Sequence, residues 1–285
     1  MEDVREDLRD ASASRARRAG GLTRRALVAG LGWACGASAV QASPPDVRRE
    51  LAPTGRLRAA INFGNAMLAR RGPSEEPTGL SIDLARELAN RLDLPLELVP
   101  FDTAGRVTAA AGLGLWDLAF LAIDPVRASE ISFTAAYVMV EGTYVVAEGA
   151  NYRAVGDLDQ LGAQIAVGRG SPWDLHLTRQ LKLASLRRAA TPDDAIKLFV
   201  EQKLDAVAGV KQPLSVFVKE NAGFRLIEGR FMAIEQAVCL PKSRPGAYRY
   251  VFDFVEEMKA SGFVAEALAR YKQSEAVLAP PASIP

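Results

Sequence analysis

The stretch "FLAIDPVRASEISFTAAYV", Phe120 to Val138, decides how this chain is read. It continues "WDLAFLAID", a nearly unbroken apolar run from Trp116, as expected of a strand covered on both faces. The run stops at Asp124-Pro125, Arg127 follows, and a second aromatic-rich extended segment begins. A permanently charged guanidinium therefore sits at the mouth of an apolar strand, between two segments that both favour burial. Two readings stand. Arg127 is a turn arginine, solvated or paired with Glu130, or it is an anion clamp whose planar fork makes two charge-assisted hydrogen bonds to a carboxylate.

Upstream, "GRLRAAIN" alternates into a short strand ending at Asn62. "GLSIDLARELANRLDL" is helical, because Ile82, Ala85, Leu88, Ala89 and Leu92 recur at spacings of three and four with charges opposite. "PLELVPF" reads as a strand and "AGRVTAAAGLG" as a helix. A second alternating series follows the long extended run "YVMVEGTYVVA": "AQIAVGRGS", "PWDLHLTRQLK", "SLRRA", "PDDAIKLFVEQK", "LDAVAGV" and "PLSVFVKENA". Strands alternating with helices predict parallel-sheet α/β construction. Two sets joined by extended crossings near residues 137–141 and 234–239 predict two lobes with a two-strand hinge. Lobe 1 is expected over 43–140 and 236–285, and lobe 2 over 141–235. The Pro-rich end "LAPPASIP" reads as a mobile tail.

The 285 residues are 49% hydrophobic and 24% charged, values of a globular chain. With 35 basic against 34 acidic residues and no Cys/His cluster, neither a nucleic-acid partner nor a metal or other cofactor is expected. The basic "RARRAGGLTRR" precedes the apolar "ALVAGLGWACGASAV", too short to span a bilayer, and then "VQA-SPP" with small residues at Val40 and Ala42. Residues 1–42 read as a secretory signal peptide, of Sec or, from "TRRALV", twin-arginine type. Its removal takes seven basic and five acidic residues, leaving 28 against 29, with Cys239 as the remaining cysteine.

"GRLRAAIN", "TGLSIDLARELANRLDLPLELVPFD", "LGLWDLAFLAIDPVRASEISFTAAYV", "LDQLGAQIAVGRGS", "KLDAVAGV" and "MKASGFVAEALARY", in that order, resemble the amino-acid-type extracellular solute-binding proteins of bacterial ABC importers. The resemblance covers nearly all of the chain after residue 42. It implies a two-lobed periplasmic-binding-protein-like α/β fold of the second type, in the periplasm. It also implies a monomer that closes on a small anionic or zwitterionic solute and docks on an inner-membrane permease.

In that family the arginine before "FT" grips the ligand carboxylate, which implies this role for Arg127. In "VGRGSPWDL", Ser171 stands as N-cap, Pro172 in the first helical position and Asp174 in capping-box position, so Gly170, Ser171 and Trp173 are cleft candidates for an anion at a helix N-terminus. Asn62, Phe63 and Asn65, on the first strand-to-helix turn, are further candidates. The chain departs from the family at two places. Phe120 and Ala122 replace hydroxyl residues before the arginine, and Val210, beside Lys211, stands where an acid commonly holds the ligand's ammonium. Asp124 or Glu141 would have to substitute. The expectation is a carboxylate receptor for an organic acid or an amino acid. The alternative is a periplasmic enzyme on the same scaffold, such as a dehydratase of a cyclic carboxylate, with Glu141 as general acid. His176 reads as packing and Arg187-Arg188 as a solvated strand end.

Overall fold

The computed structural model describes residues 45–72, 76–273 and 276–282; the signal-peptide reading falls outside them. The elements run in chain order as follows: α1 (Pro45–Leu51), β1 (Leu57–Asn62), β2 (Arg70–Arg71), β3 (Pro77–Thr78), α2 (Leu80–Arg91), β4 (Leu96–Phe101), α3 (Ala104–Ala109), β5 (Leu118–Ala122) and β6 (Ile131–Ala147). There follow β7 (Gln164–Gly168), α4 (Pro172–Gln180), β8 (Ser185–Ala189), α5 (Pro192–Gln202), β9 (Ala206–Val210), α6 (Lys211–Glu220) and β10 (Phe224–Leu226). The chain closes with β11 (Met232–Pro241), α7 (Pro245–Ala260), α8 (Phe263–Arg270) and β12 (Val277–Leu278).

Ten strands form one sheet in the order β4-β1-β5-β11-β6-β9-β7-β8, with β10 and β12 also on β6. The β1–β4 and β1–β5 pairs are parallel, as are β7–β8 and β7–β9. The antiparallel strands β6 and β11 stand between these two parallel sets. β6 is 17 residues long and pairs with β11 at one end and with β9 at the other. The halves therefore share their middle strands, and the register of β6 with β11 shifts around Gln236–Cys239, where the crossing bends.

The apolar run at β5 is buried at all five positions, which is why it carries no polar alternation. Trp116 just ahead of it is fully buried, and its indole N–H is satisfied by the Val107 carbonyl at 3.0 Å. The neighbouring Asp117 is buried between Arg58 (2.8 and 2.9 Å) and Arg244 (2.9 Å). That ion cluster ties β1, β5 and the start of α7 together at the end of β5 away from Ala122. Burying a carboxylate is tolerable there only because both oxygens are paired.

Two expectations are corrected. Residues 276–282 are docked, not a loose tail. β12 pairs with Val138 and Met139 of β6, Ala279 N donates to Tyr137 O, and the nearly buried Lys259 ammonium donates to the Ala136 and Pro280 carbonyls. The middle of β6 thus has β11 on one edge and β12 on the other, so three strands meet at the crossing. Nor is Arg188 simply solvated. It pairs with the buried Asp174 at 2.8 Å and donates to Thr178.

Candidate functional site

The strand ends of both halves face a cleft, as they do in open α/β sheets generally. A first, narrow chamber lies between them. From the first half come Asn62, Gly64 and Asn65 after β1, Thr103 and Ala104 at the start of α3, and Ala122 at the end of β5. From the second half come Arg169 after β7, Ser171, Pro172 and Trp173 at the N-terminus of α4, and Pro192. Gln236 of β11 completes the wall.

The polar side chains here have a common arrangement. Asn62 Oδ1 accepts from Gly64 N (3.0 Å) and Asn65 Oδ1 from Met67 N (3.3 Å), so each amide spends its oxygen on its own turn and keeps its NH2 group. Thr103 Oγ1 accepts from Arg106 N and Ser171 Oγ from Asp174 N, as N-caps, leaving each hydroxyl proton to be donated. Arg169 is exposed and makes no ion pair or side-chain hydrogen bond among the described residues, and the buried Gln236 amide makes none either. Trp173 is 4% exposed and its indole Nε1 has no partner among the described residues. The positive end of α4 adds to this excess of donors.

A second, roomier chamber shares Gly64, Asn65, Trp173 and Pro192 with the first. Phe63, Ile196, Val210 and Leu214 are among its apolar lining residues. Arg71 lies over the Phe63 ring at 4.6 Å.

Of the residues singled out in the sequence, Asn62, Phe63, Asn65, Ala122, Ser171, Trp173 and Val210 line one chamber or both. The others do not. Phe120 is buried edge-on to Tyr137 at 6.3 Å. Arg127 is 1% exposed, and its fork donates to two carbonyls, Ala122 O at 2.9 Å and Gly170 O at 2.8 Å. Its Nε is buried without a partner, and burial lowers its pKa to about 10 against the pull of Asp124. In this state Arg127 therefore stands behind the chamber wall and links the first half to the Gly170 loop of the second.

Asp124 is equally occupied. One carboxylate oxygen accepts from Val126 N, and the other pairs with Arg179 of α4 at 2.7 Å, again across the cleft. Glu141 is held by Lys211 at 2.8 Å and Arg230 at 3.2 Å. The hydrogen bond from Lys211, ahead of the two positive charges, keeps its carboxyl below the ordinary glutamate range. Neither acid is offered to a ligand ammonium, so the substitution proposed from the sequence is not arranged here. A close backbone contact completes the closure. A Cβ built on Gly170 (φ +69°) would stand 3.0 Å from Gly105 Cα, so two glycines let the halves touch.

Sequence reasoning missed Arg169, Thr103 and Gln236. The signal for Arg169 was a charge between the two glycines of "VGRGS". That for Gln236 was an amide beside Glu235 in β11, whose other residues are apolar.

The profile of the bacterial extracellular solute-binding proteins, family 3, matches residues 61–274. The chain belongs to that family. Solved structures with the same fold include ArgBP from T. maritima, in a mutant form, at 19% identity and TM-score 0.69, with 80% of this chain and 99% of that one covered. An amino acid ABC transporter substrate-binding protein, AbpA from Streptococcus pneumoniae, bound to L-arginine, is 22% identical (TM-score 0.68, 79% and 98% covered). The ancestral amino acid-binding protein AncCDT-1, a precursor of cyclohexadienyl dehydratase, is 21% identical (TM-score 0.67, 78% and 97% covered). No curated protein sequence matches the chain. At these identities the structures establish the two-lobed solute-binding fold alone.

Proposed function

We propose that the protein is the periplasmic substrate-binding component of an ABC importer and that it captures a small carboxylate-bearing solute between its halves. The observation that carries this reading is the donor-rich wall of the first chamber. Asn62, Asn65, Thr103 and Ser171 have used their acceptors locally, and Arg169 is unpaired. An ionised carboxylate is acceptor-only and so complements such a wall. A cationic side chain such as that of L-arginine, to which AbpA is bound, would bring donors to that wall, whereas the carboxylate of the same molecule would complement it.

The mechanism is closure about the shared strands. A solute that touches both halves favours the closed state by its differential affinity for that state. The links Arg127–Gly170, Asp124–Arg179 and Gly105–Gly170 hold the halves together once closed. The closed form is then presented to a permease of the inner membrane.

The enzyme reading needs a general acid with a raised pKa in the cleft. Glu141 is displaced the other way by Lys211, which argues against it in that role.

Calorimetric titration with simple carboxylates and with L-arginine, together with small-angle scattering, tests the proposal. Carboxylate binding with a contraction of the particle is expected. No binding of any carboxylate, L-arginine included, or binding without contraction of the particle, would refute it.

A further inference from the structure

We infer that the solute carries an apolar body, branched-aliphatic or aromatic, and that the second chamber is the subsite selecting it; this rests on the solute-binding reading above. The second chamber is adjacent to the first, with Gly64, Asn65, Trp173 and Pro192 in both linings, and the inferred ligand extends past Trp173 from one to the other. Its space is larger than that of the head-group chamber. Phe63, Ile196, Val210 and Leu214 line it, the last two almost fully buried at the end of β9 and on α6.

Charge near that wall comes from Arg71, over the Phe63 ring at 4.6 Å, and from Lys211 and Asp193. Lys211, next to Val210, is engaged by Glu141 at 2.8 Å and is absent from the lining. The carboxylate that does line the chamber is Asp193, on the exposed first turn of α5, where solvent screens it.

Trp173 joins the two chambers. It lines both, is 4% exposed, and holds a buried indole N–H with no acceptor. A buried donor left unmade is costly, and a head-group oxygen at the junction would satisfy it. The ligand's body would then lie beside the indole and against Ile196, Val210 and Leu214. A short carboxylate fills the first chamber only. A longer apolar one removes additional surface from water and gains affinity with that area.

The test compares propanoate, 3-phenylpropanoate and L-phenylalanine by calorimetric titration of the purified protein and of Ile196→Trp, which fills the second chamber from a half-buried position. 3-Phenylpropanoate is expected to bind at least about tenfold more tightly than propanoate. Ile196→Trp is expected to abolish that advantage while leaving propanoate within about threefold of its original affinity. If the two carboxylates bind equally, or Ile196→Trp leaves the ratio unchanged, the apolar subsite is wrong although carboxylate capture stands. If L-phenylalanine binds tightest and Asp193→Asn removes its advantage, the chamber is an ammonium site and the inference is overturned. If no carboxylate binds at all, the solute-binding reading falls and takes this one with it.

Discussion

Arg127, five residues beyond the end of β5, and Arg169, the residue after β7, both follow an apolar strand that ends at the cleft. Their environments are opposite. Arg127 is 1% exposed and spends its fork on the carbonyls of Ala122 and Gly170, whereas Arg169 is exposed, unpaired and on the chamber surface. Position at a strand mouth is thus not sufficient to name a ligand-facing cation. Chain carbonyls compete for a guanidinium as a carboxylate does, and Arg127 is the one they take. Arg127 acts as a link across the cleft, and Arg169 presents free charge to what enters it.

The comparison is open to attack at both ends. Arg127→Ala should give the largest effect, a loss of about 3 kcal/mol in denaturant unfolding. It leaves two buried carbonyls without their donor and a void in the wall. An unchanged unfolding midpoint would mean that the buried fork contributes nothing.

Gly105→Ala probes the closed contact itself. The added Cβ would stand 3.3 Å from Gly170 Cα, while the substitution favours helix α3. Ligand affinity should fall by about tenfold with unfolding stability kept or slightly raised. Equal affinity would show that the glycine pair does not limit closure.

Glu141→Gln gives the smallest effect and acts through pH. The folded-state pKa of Glu141 lies below its ordinary value of 4.5, so the stability from its pairing with Lys211 is present above that value. It is lost as pH falls through the lower folded value. Melting curves from neutral to acidic pH should therefore drop less steeply in Glu141→Gln than in the parent, and identical slopes would contradict the pairing.

Much of the frame was legible in the sequence because periodicity is a local property. The unbroken run at β5 and the spacing of Ile82, Ala85, Leu88, Ala89 and Leu92 in α2 read directly as strand and helix, and the long β6 as a crossing. Residues 278–282 were misread because their order comes from a distant residue. Lys259 on α7 pins them to β6, and proline content carries no trace of that contact. The site was legible by residue type but not by state. Asp124, Glu141 and Lys211 are each consumed by partners far along the chain, at Arg179, Lys211 and Glu141, pairings that spacing does not encode. Thr103 escaped notice because an N-cap threonine looks the same whether or not its hydroxyl also faces a chamber.

The most direct test of the central claim is calorimetric titration of one carboxylate against the parent protein and Arg169→Gln, with melting temperatures in parallel. The account predicts affinity lower by at least about tenfold, as expected for loss of a charge-assisted contact, at an unchanged melting temperature. Equal affinity in the two proteins would contradict it.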